Sequence, residues 1–249
     1  MTIRPYSLLR QVALTGLVAA SLPSCALNRT MTDAPPTAFL SSTGAPTRHK
    51  IARLPFDQAW RDPKADISQY TQIFLKPVSL SYLRTEHWTE SASMQMASRE
   101  AYLQEAKVVA AHWDESLRRA FADPQSRFRF SKDPHAPGTV VLEIALTEVV
   151  FSHPETYVAS MAVTAGGVAE SAFLAPTTAF EAKVIDGPTG KLLATVADRT
   201  GTRIKVIDFN RLSVSKANME ICDDWAVELM QAANRDLFPV VKRKMFSVF

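Results

Sequence analysis

The chain of 249 residues holds two cysteines, Cys25 and Cys222, and the first stands where a thiol can do chemistry. Arg4 and Arg10 precede an apolar stretch from Val12 to Leu22, which closes in Leu22-Pro23-Ser24-Cys25. A basic start, a short apolar run and small residues at its end mark an export signal, and the run is too short to cross a bilayer. Cleavage between Ser24 and Cys25 leaves Cys25 first in the exported chain. Its sulfur is the one side chain there that readily takes a lipid through a thioether. An ordinary signal, cut after Ala20 or Ser24, and an uncleaved anchor are the competing readings of this stretch.

Other residues that could do chemistry are dispersed. The histidines are His49, His87, His112, His135 and His153. His112 and Glu115 have the i, i+3 spacing of two metal ligands, but no second pair of this kind accompanies them, so they read as a polar pair on a helix surface. No Gly-x-Ser-x-Gly elbow offers a nucleophile. Gly166-Gly167 lacks the further glycines and the lysine of a phosphate loop. Asp198-Arg199 and Asp223-Asp224 read as solvated or paired charges. Met94, Met96 and Trp113 could line a groove, yet their helical spacing is that of core residues. No catalytic residue, metal ligand or cofactor site is therefore assigned, and the expectation is a protein that is not an enzyme. With Cys25 lipidated, Cys222 has no partner for an internal disulfide; beside Ile221 on an apolar helical face, it is expected to be buried.

Composition narrows the classes further. Lys and Arg number 28 against 25 Asp and Glu. Loss of Arg4 and Arg10 with the signal leaves 26 against 25, a balance that argues against a nucleic-acid footprint despite the sequence pI of 8.9. Lys242-Arg243-Lys244 is the longest basic run and reads as a solvated helix end. A hydrophobic content of 47% suffices for one well-buried domain.

These residues must be positioned by the following elements. Residues 1–24 are the signal and 25–64 a tether, with Phe39-Leu40, Leu54-Pro55-Phe56 and Trp60 docked on the edge of a single domain over 65–249. Ile73 to Val78 reads as a first strand, limited in its pairing by Pro77. Leu103, Ala106, Ala110, Trp113, Leu117 and Phe121 recur at steps of three or four and predict a helix over 93–122, stopped by Asp123-Pro124. Phe128-Arg129-Phe130 is a short strand. In the run over 139–151, Val140, Leu142, Ile144 and Leu146 share one face and Val141, Glu143, Ala145 and Thr147 the other, the pattern of a central strand. Residues 165–175 are small and read as a loop or a short helix. Strands over 178–186 and 191–199 form a hairpin around Asp186-Gly187-Pro188-Thr189-Gly190, with a three-residue loop that is either Pro188 to Gly190, closed by a left-handed Gly190, or Gly187 to Thr189. Its register is expected to keep Phe180, Ala182 and Val184 on one face with Leu192, Ala194 and Val196. Ser213 or Ser215 can cap a last helix carrying Ile221, Trp225, Leu229 and Ala232, ended near Pro239. The order predicts an α+β two-layer sandwich: a mainly antiparallel sheet of four to five strands with two long helices on one face.

Two resemblances add to this reading. Leu22, Ser24 and Cys25 resemble the lipobox of bacterial lipoproteins, from which Pro23 departs. That resemblance implies a cysteine carrying three acyl chains, enough for effectively permanent anchoring at about 0.8 kcal/mol per buried methylene. Ala26, in place of the aspartate that retains lipoproteins in the inner membrane, implies the outer membrane, facing the periplasm. The second rests on the hairpin Ala179 to Ala194, on Pro137-Gly138-Thr139 with Leu142 to Val149, and on Ile67-Ser68-Gln69-Tyr70 through Lys76-Pro77-Val78. These segments, in this order, resemble an uncharacterised bacterial lipoprotein family, domain of unknown function 3313, which implies a periplasm-facing domain and carries no known activity. Asn210-Arg211-Leu212-Ser213 with Lys216-Ala217 resembles in part the start of the binding helix of peptidoglycan-binding domains, but helix capping accounts for the same residues.

The expectation is thus a lipid-anchored envelope module that binds a protein or cell-wall partner and no nucleic acid. A periplasmic carrier or sensor with a small-ligand or lipid pocket between helices and sheet, lined by Met94, Trp113 and Trp225, is the alternative. A convergent His, Asp and Ser cluster would favour a hydrolase.

Overall fold

The computed structural model describes residues 36–44, 54–85, 99–151, 176–201 and 215–234. Its strands are β1 (Gln58–Arg61), β2 (Gln72–Leu75), β3 (Arg129–Phe130), β4 (Thr139–Val150), β5 (Thr177–Asp186) and β6 (Leu192–Gly201), with helices α1 (Ala38–Ser41), α2 (Arg99–Phe121) and α3 (Lys216–Ala233). The strands form one sheet in the order β1-β6-β5-β4-β2-β3. This corrects the expected mainly antiparallel sheet of four to five strands: six strands are present and the sheet is mixed, because β2 runs parallel to both β3 and β4. Parallel neighbours need a long crossover, and α2 supplies it between β2 and β3. The additional strand is β1, antiparallel to β6 at the sheet edge. It has four residues, too few for alternation to announce it.

Strand β4 is central, as its apolar run predicts, and two faces follow from its period of two. Val140, Leu142, Ile144 and Leu146 belong to the main core with Trp113 and Leu117 of α2, Phe180 of β5 and Trp225 of α3. Ala145, on the other face, joins Phe39 and Leu40 of α1. The Phe39-Leu40 pair therefore sits on the back of the sheet rather than at its edge, while Phe56 enters the main core against Phe180, with ring centroids 6.0 Å apart. Helix α2 begins by Arg99 and ends at Phe121. Its stripe is the expected one with Tyr102 and Val109 added and Leu103 partly buried against it; the Tyr102 hydroxyl donates to the carbonyl of Val149 at 2.9 Å. Asp114 of α2 accepts from the Val78 amide at 3.0 Å, which fastens the helix to the chain leaving β2.

The hairpin carries Gly190 at φ 71°, left-handed as expected. Its loop is longer than three residues, however: the Asp186 amide donates to the Lys191 carbonyl, and Val184 and Ile185 are separated by a register shift. Phe180, Ala182 and Val184 oppose Asp198, Val196 and Ala194, while Leu192 falls opposite Ile185 and Leu193 enters the core. The expected face is thus kept except at Leu192, which the bulge displaces. Gly187 is required for space. A Cβ there would lie 2.1 Å from the Pro134 carbonyl oxygen and 2.9 Å from that of Thr139. Gly187→Ala is expected to destabilise the fold by about 1–3 kcal/mol through this overpacking, read as a lower urea midpoint at unchanged m.

Ser215 occupies the N-cap position of α3 without a capping bond from its hydroxyl. Asn234 closes the other end, donating to the Met230 carbonyl at 2.8 Å and accepting from the Arg127 amide at 2.8 Å.

Candidate functional site

Ser24, Cys25, Met94, Met96, Gly166-Gly167 and Asn210 to Ser213 lie outside the described residues, as do residues 165–175, Pro239 and Lys242 to Lys244. Trp113 and Trp225 are described and stand where the carrier reading puts a pocket. Their rings fill that space: Trp113 lies 5.5 Å from Trp225 and 5.2 Å from Phe180, and Phe180 lies 4.6 Å from Trp225, between centroids. Each is at most 1% exposed. Such rings act as core, contributing through buried area and through edge-to-face geometry.

A convergent set of histidine, aspartate and serine does exist, across the two long helices. His112, Ser116 and Arg119 are spaced i, i+4, i+7 on α2 and so share one face of it, opposite Asp223 of α3. His112 Nε2 lies 3.0 Å from Asp223 Oδ1, and Arg119 Nη2 donates to the same oxygen at 3.2 Å. The Ser116 hydroxyl donates to Asp223 Oδ1 or to the His112 carbonyl, which is 3.0 Å away, and accepts from Arg119 Nη2 at 2.9 Å. In a nucleophilic triad the imidazole stands between the hydroxyl and the carboxylate, so that it can take the hydroxyl proton. Here the carboxylate stands between hydroxyl and imidazole, and Ser116 is 4% exposed. The arrangement clips α2 to α3. Glu115 takes no part in it and is exposed. Among the described residues no group of three or more His, Cys, Asp or Glu could hold a metal ion.

Asp198 and Arg199 are adjacent in β6 and therefore point to opposite faces. Asp198 turns to the helices: Trp225 Nε1 donates to its Oδ2 at 2.8 Å and the Asp57 amide to its Oδ1 at 3.0 Å. Arg199 turns to the back of the sheet, where its Nε and Nη2 donate to Glu148 Oε1 at 2.9 and 2.6 Å. Arg84 Nη1 approaches Glu148 Oε2 at 3.7 Å. Glu148 is 2% exposed, so this ion pair is buried, and Asp198 and Arg199 are both paired charges, with partners distant in sequence. Register explains it: Glu148 and Arg199 both lie opposite Ala179, on either side of β5. A small depression of about 10 Å³ beside them is lined by Asp57, Glu181, Asp198 and Arg199, all engaged with neighbours.

Also on the back face, Glu181 receives α1. Its Oε1 accepts from the Thr37 amide at 2.8 Å and its Oε2 from the Thr37 hydroxyl at 2.6 Å. The Lys183 ammonium lies 4.1 Å from the Phe39 ring centroid, and Tyr82 meets that ring edge-on at 5.2 Å.

Cys222 is fully buried, as its apolar face predicts. Burial, and secondarily the charge of Asp223, push its thiol well above the ordinary range. Up to an unfolded pKa of about 8.5 both states keep the proton and the fold has its full stability. Above it the unfolded thiol ionises while the buried one does not, so stability falls as pH rises, by at most about 1.4 kcal/mol per pH unit. Alkylation by iodoacetamide at pH 8 is expected to be slower in the native protein than in denaturant by on the order of 10³-fold or more, because it waits on opening of the fold. A native rate within tenfold of the denatured one would show that the thiol is accessible.

Among the described residues no helix is long and apolar enough to cross a membrane. A family model described as a protein of unknown function (DUF3313) matches residues 49–229. No curated protein matches the chain significantly. Solved structures of a PelC dodecamer from Paraburkholderia phytofirmans in two crystal forms are 12% identical to it at TM-score 0.34; one match covers 69% of this chain and 95% of that one, the other 68% and 96%.

Proposed function

This chain belongs to the DUF3313 family of proteins of unknown function, and from its own residues we propose that it is a lipid-anchored envelope protein facing the periplasm, a non-enzymatic module that binds a protein or cell-wall partner. The anchor is Cys25, reached by cleavage after Ser24, and the outer membrane follows from Ala26 at the next position. Support for the anchor comes from the basic residues, the apolar run and the Leu22-Ser24-Cys25 pattern together. The observation that carries the non-enzymatic half is the order of groups in the α2–α3 clip, where Asp223 separates Ser116 from His112. The carrier reading is the weaker one, since Trp113, Phe180 and Trp225 occupy the space it requires.

Metabolic labelling with palmitate and membrane fractionation test the anchor. Wild-type protein is expected to carry label in the outer-membrane fraction and Cys25→Ala to be released without label. A Cys25→Ala protein that stays wholly membrane-bound after signal cleavage overturns the assignment. Crosslinking in intact membranes is expected to give an adduct of constant mass with the wild type; its absence counts against the partner reading. A fluorophosphonate probe is expected to leave Ser116 unlabelled, and labelling abolished by Ser116→Ala would restore the hydrolase.

A further inference from the structure

We propose that α1 is a clip that holds the lipid tether against the back of the sheet and thereby sets how far the body reaches from the membrane; this deepens, and rests on, the lipid-anchor reading above. Three observations carry it. First, α1 has four residues, too few to be helical by themselves, so its conformation depends on its seat. Second, that seat is separate from the main core. Phe39 and Leu40 pack with Ala145, Tyr82 and Ala197, while the Thr37 amide and hydroxyl are both held by Glu181. Among the described residues, none of the ring contacts of Trp113, Phe180 and Trp225 involves α1, whose cluster is separate, so the clip can open with the body intact. Third, α1 lies in the chain between Cys25 and the first residue of the main core past it, Phe56.

The spacing gives the clip a consequence. From Cys25 to Thr37 the chain has 12 steps, and from Cys25 to Phe56 it has 31. Fully extended, these span at most about 40 Å and about 110 Å. The seated clip therefore limits the reach of the body to roughly a third of what the whole leash permits. The Glu181 carboxylate and the apolar seat recognise the Thr37-Ala38-Phe39-Leu40 segment, and Gly44, at φ 61° with open space around its Cα, follows it as a pliant exit.

Insertions test this in the full-length lipidated protein on vesicles, with a dye at Lys107→Cys on the exposed side of α2 and acceptor dyes on lipid headgroups. A ten-residue Gly-Ser insertion before Thr37 is expected to lower energy transfer. The same insertion after Gly44 is expected to leave transfer unchanged in otherwise wild-type protein and to lower it in the Phe39→Ser, Glu181→Ala background. An insertion after Gly44 that lowers wild-type transfer as much as the one before Thr37 overturns the clip. Should the double variant not fold, as judged by near-UV circular dichroism, the wild-type pair of insertions decides alone. Failure of the anchor reading is seen separately, as Cys25→Ala protein still binding the vesicles.

Discussion

Trp225→Ala is expected to destabilise the fold by about 3–5 kcal/mol, the range for removing a buried tryptophan. Trp225 is 1% exposed and bridges both helices and the sheet through Trp113 and Phe180. Alanine leaves a cavity between those rings and takes the indole donor from Asp198 Oδ2. Trp225→Phe separates the two effects, because it keeps most of the packing and removes only the donor; about 1–3 kcal/mol is expected for the carboxylate left with one partner fewer. Urea unfolding followed by far-UV circular dichroism reads both, as a shift of midpoint at unchanged m. An alanine variant within 1 kcal/mol of wild type would show that α3 does not depend on this stack.

Arg199→Ala is expected to cost about 3–5 kcal/mol, the range for removing one partner of a buried ion pair. Two donor contacts at 2.9 and 2.6 Å disappear, while Arg84 Nη1 stays 3.7 Å from Oε2. The double variant Glu148→Leu with Arg199→Met is expected to lose less than Arg199→Ala alone, because two apolar side chains need no desolvation of charge. The two denaturation midpoints decide it. If the single variant were the more stable, the ion pair would be exposed in solution and its burial wrong. Salt sharpens the contrast with the α2–α3 clip. Arg119 and Asp223 have side chains 66% and 46% exposed, so their attraction is screened, whereas that of Arg199 for Glu148 is much less so.

The elements legible in the residues were those whose burial repeats along the chain. Ala106, Ala110, Trp113, Leu117 and Phe121 announce α2, and Ile221, Trp225 and Leu229 announce α3, because a period of 3.6 writes one buried stripe into the order of side chains. The alternation of Val140, Leu142, Ile144 and Leu146 announces the core face of β4 in the same way. Gly190 marks a turn through its own φ. Alternation says which side chains face the core but not which neighbour a strand pairs with, or in which direction. The parallel pairing of β2 with β3 and β4 was therefore misjudged from pattern alone, and β1 was not foreseen as a strand, although its Trp60 does lie at the sheet edge as expected.

By itself, the order of residues determined the faces of the long elements. The tertiary structure alone decided which charges meet. Asp223 with Ser116 and His112, Glu148 with Arg199, and Glu181 with Thr37 are each separated by 51 or more residues. No local period encodes such pairs, because register across strands and the packing of helix on helix set them. Those same pairs set Asp223 between Ser116 and His112, and seat Thr37 of α1 on the Glu181 carboxylate.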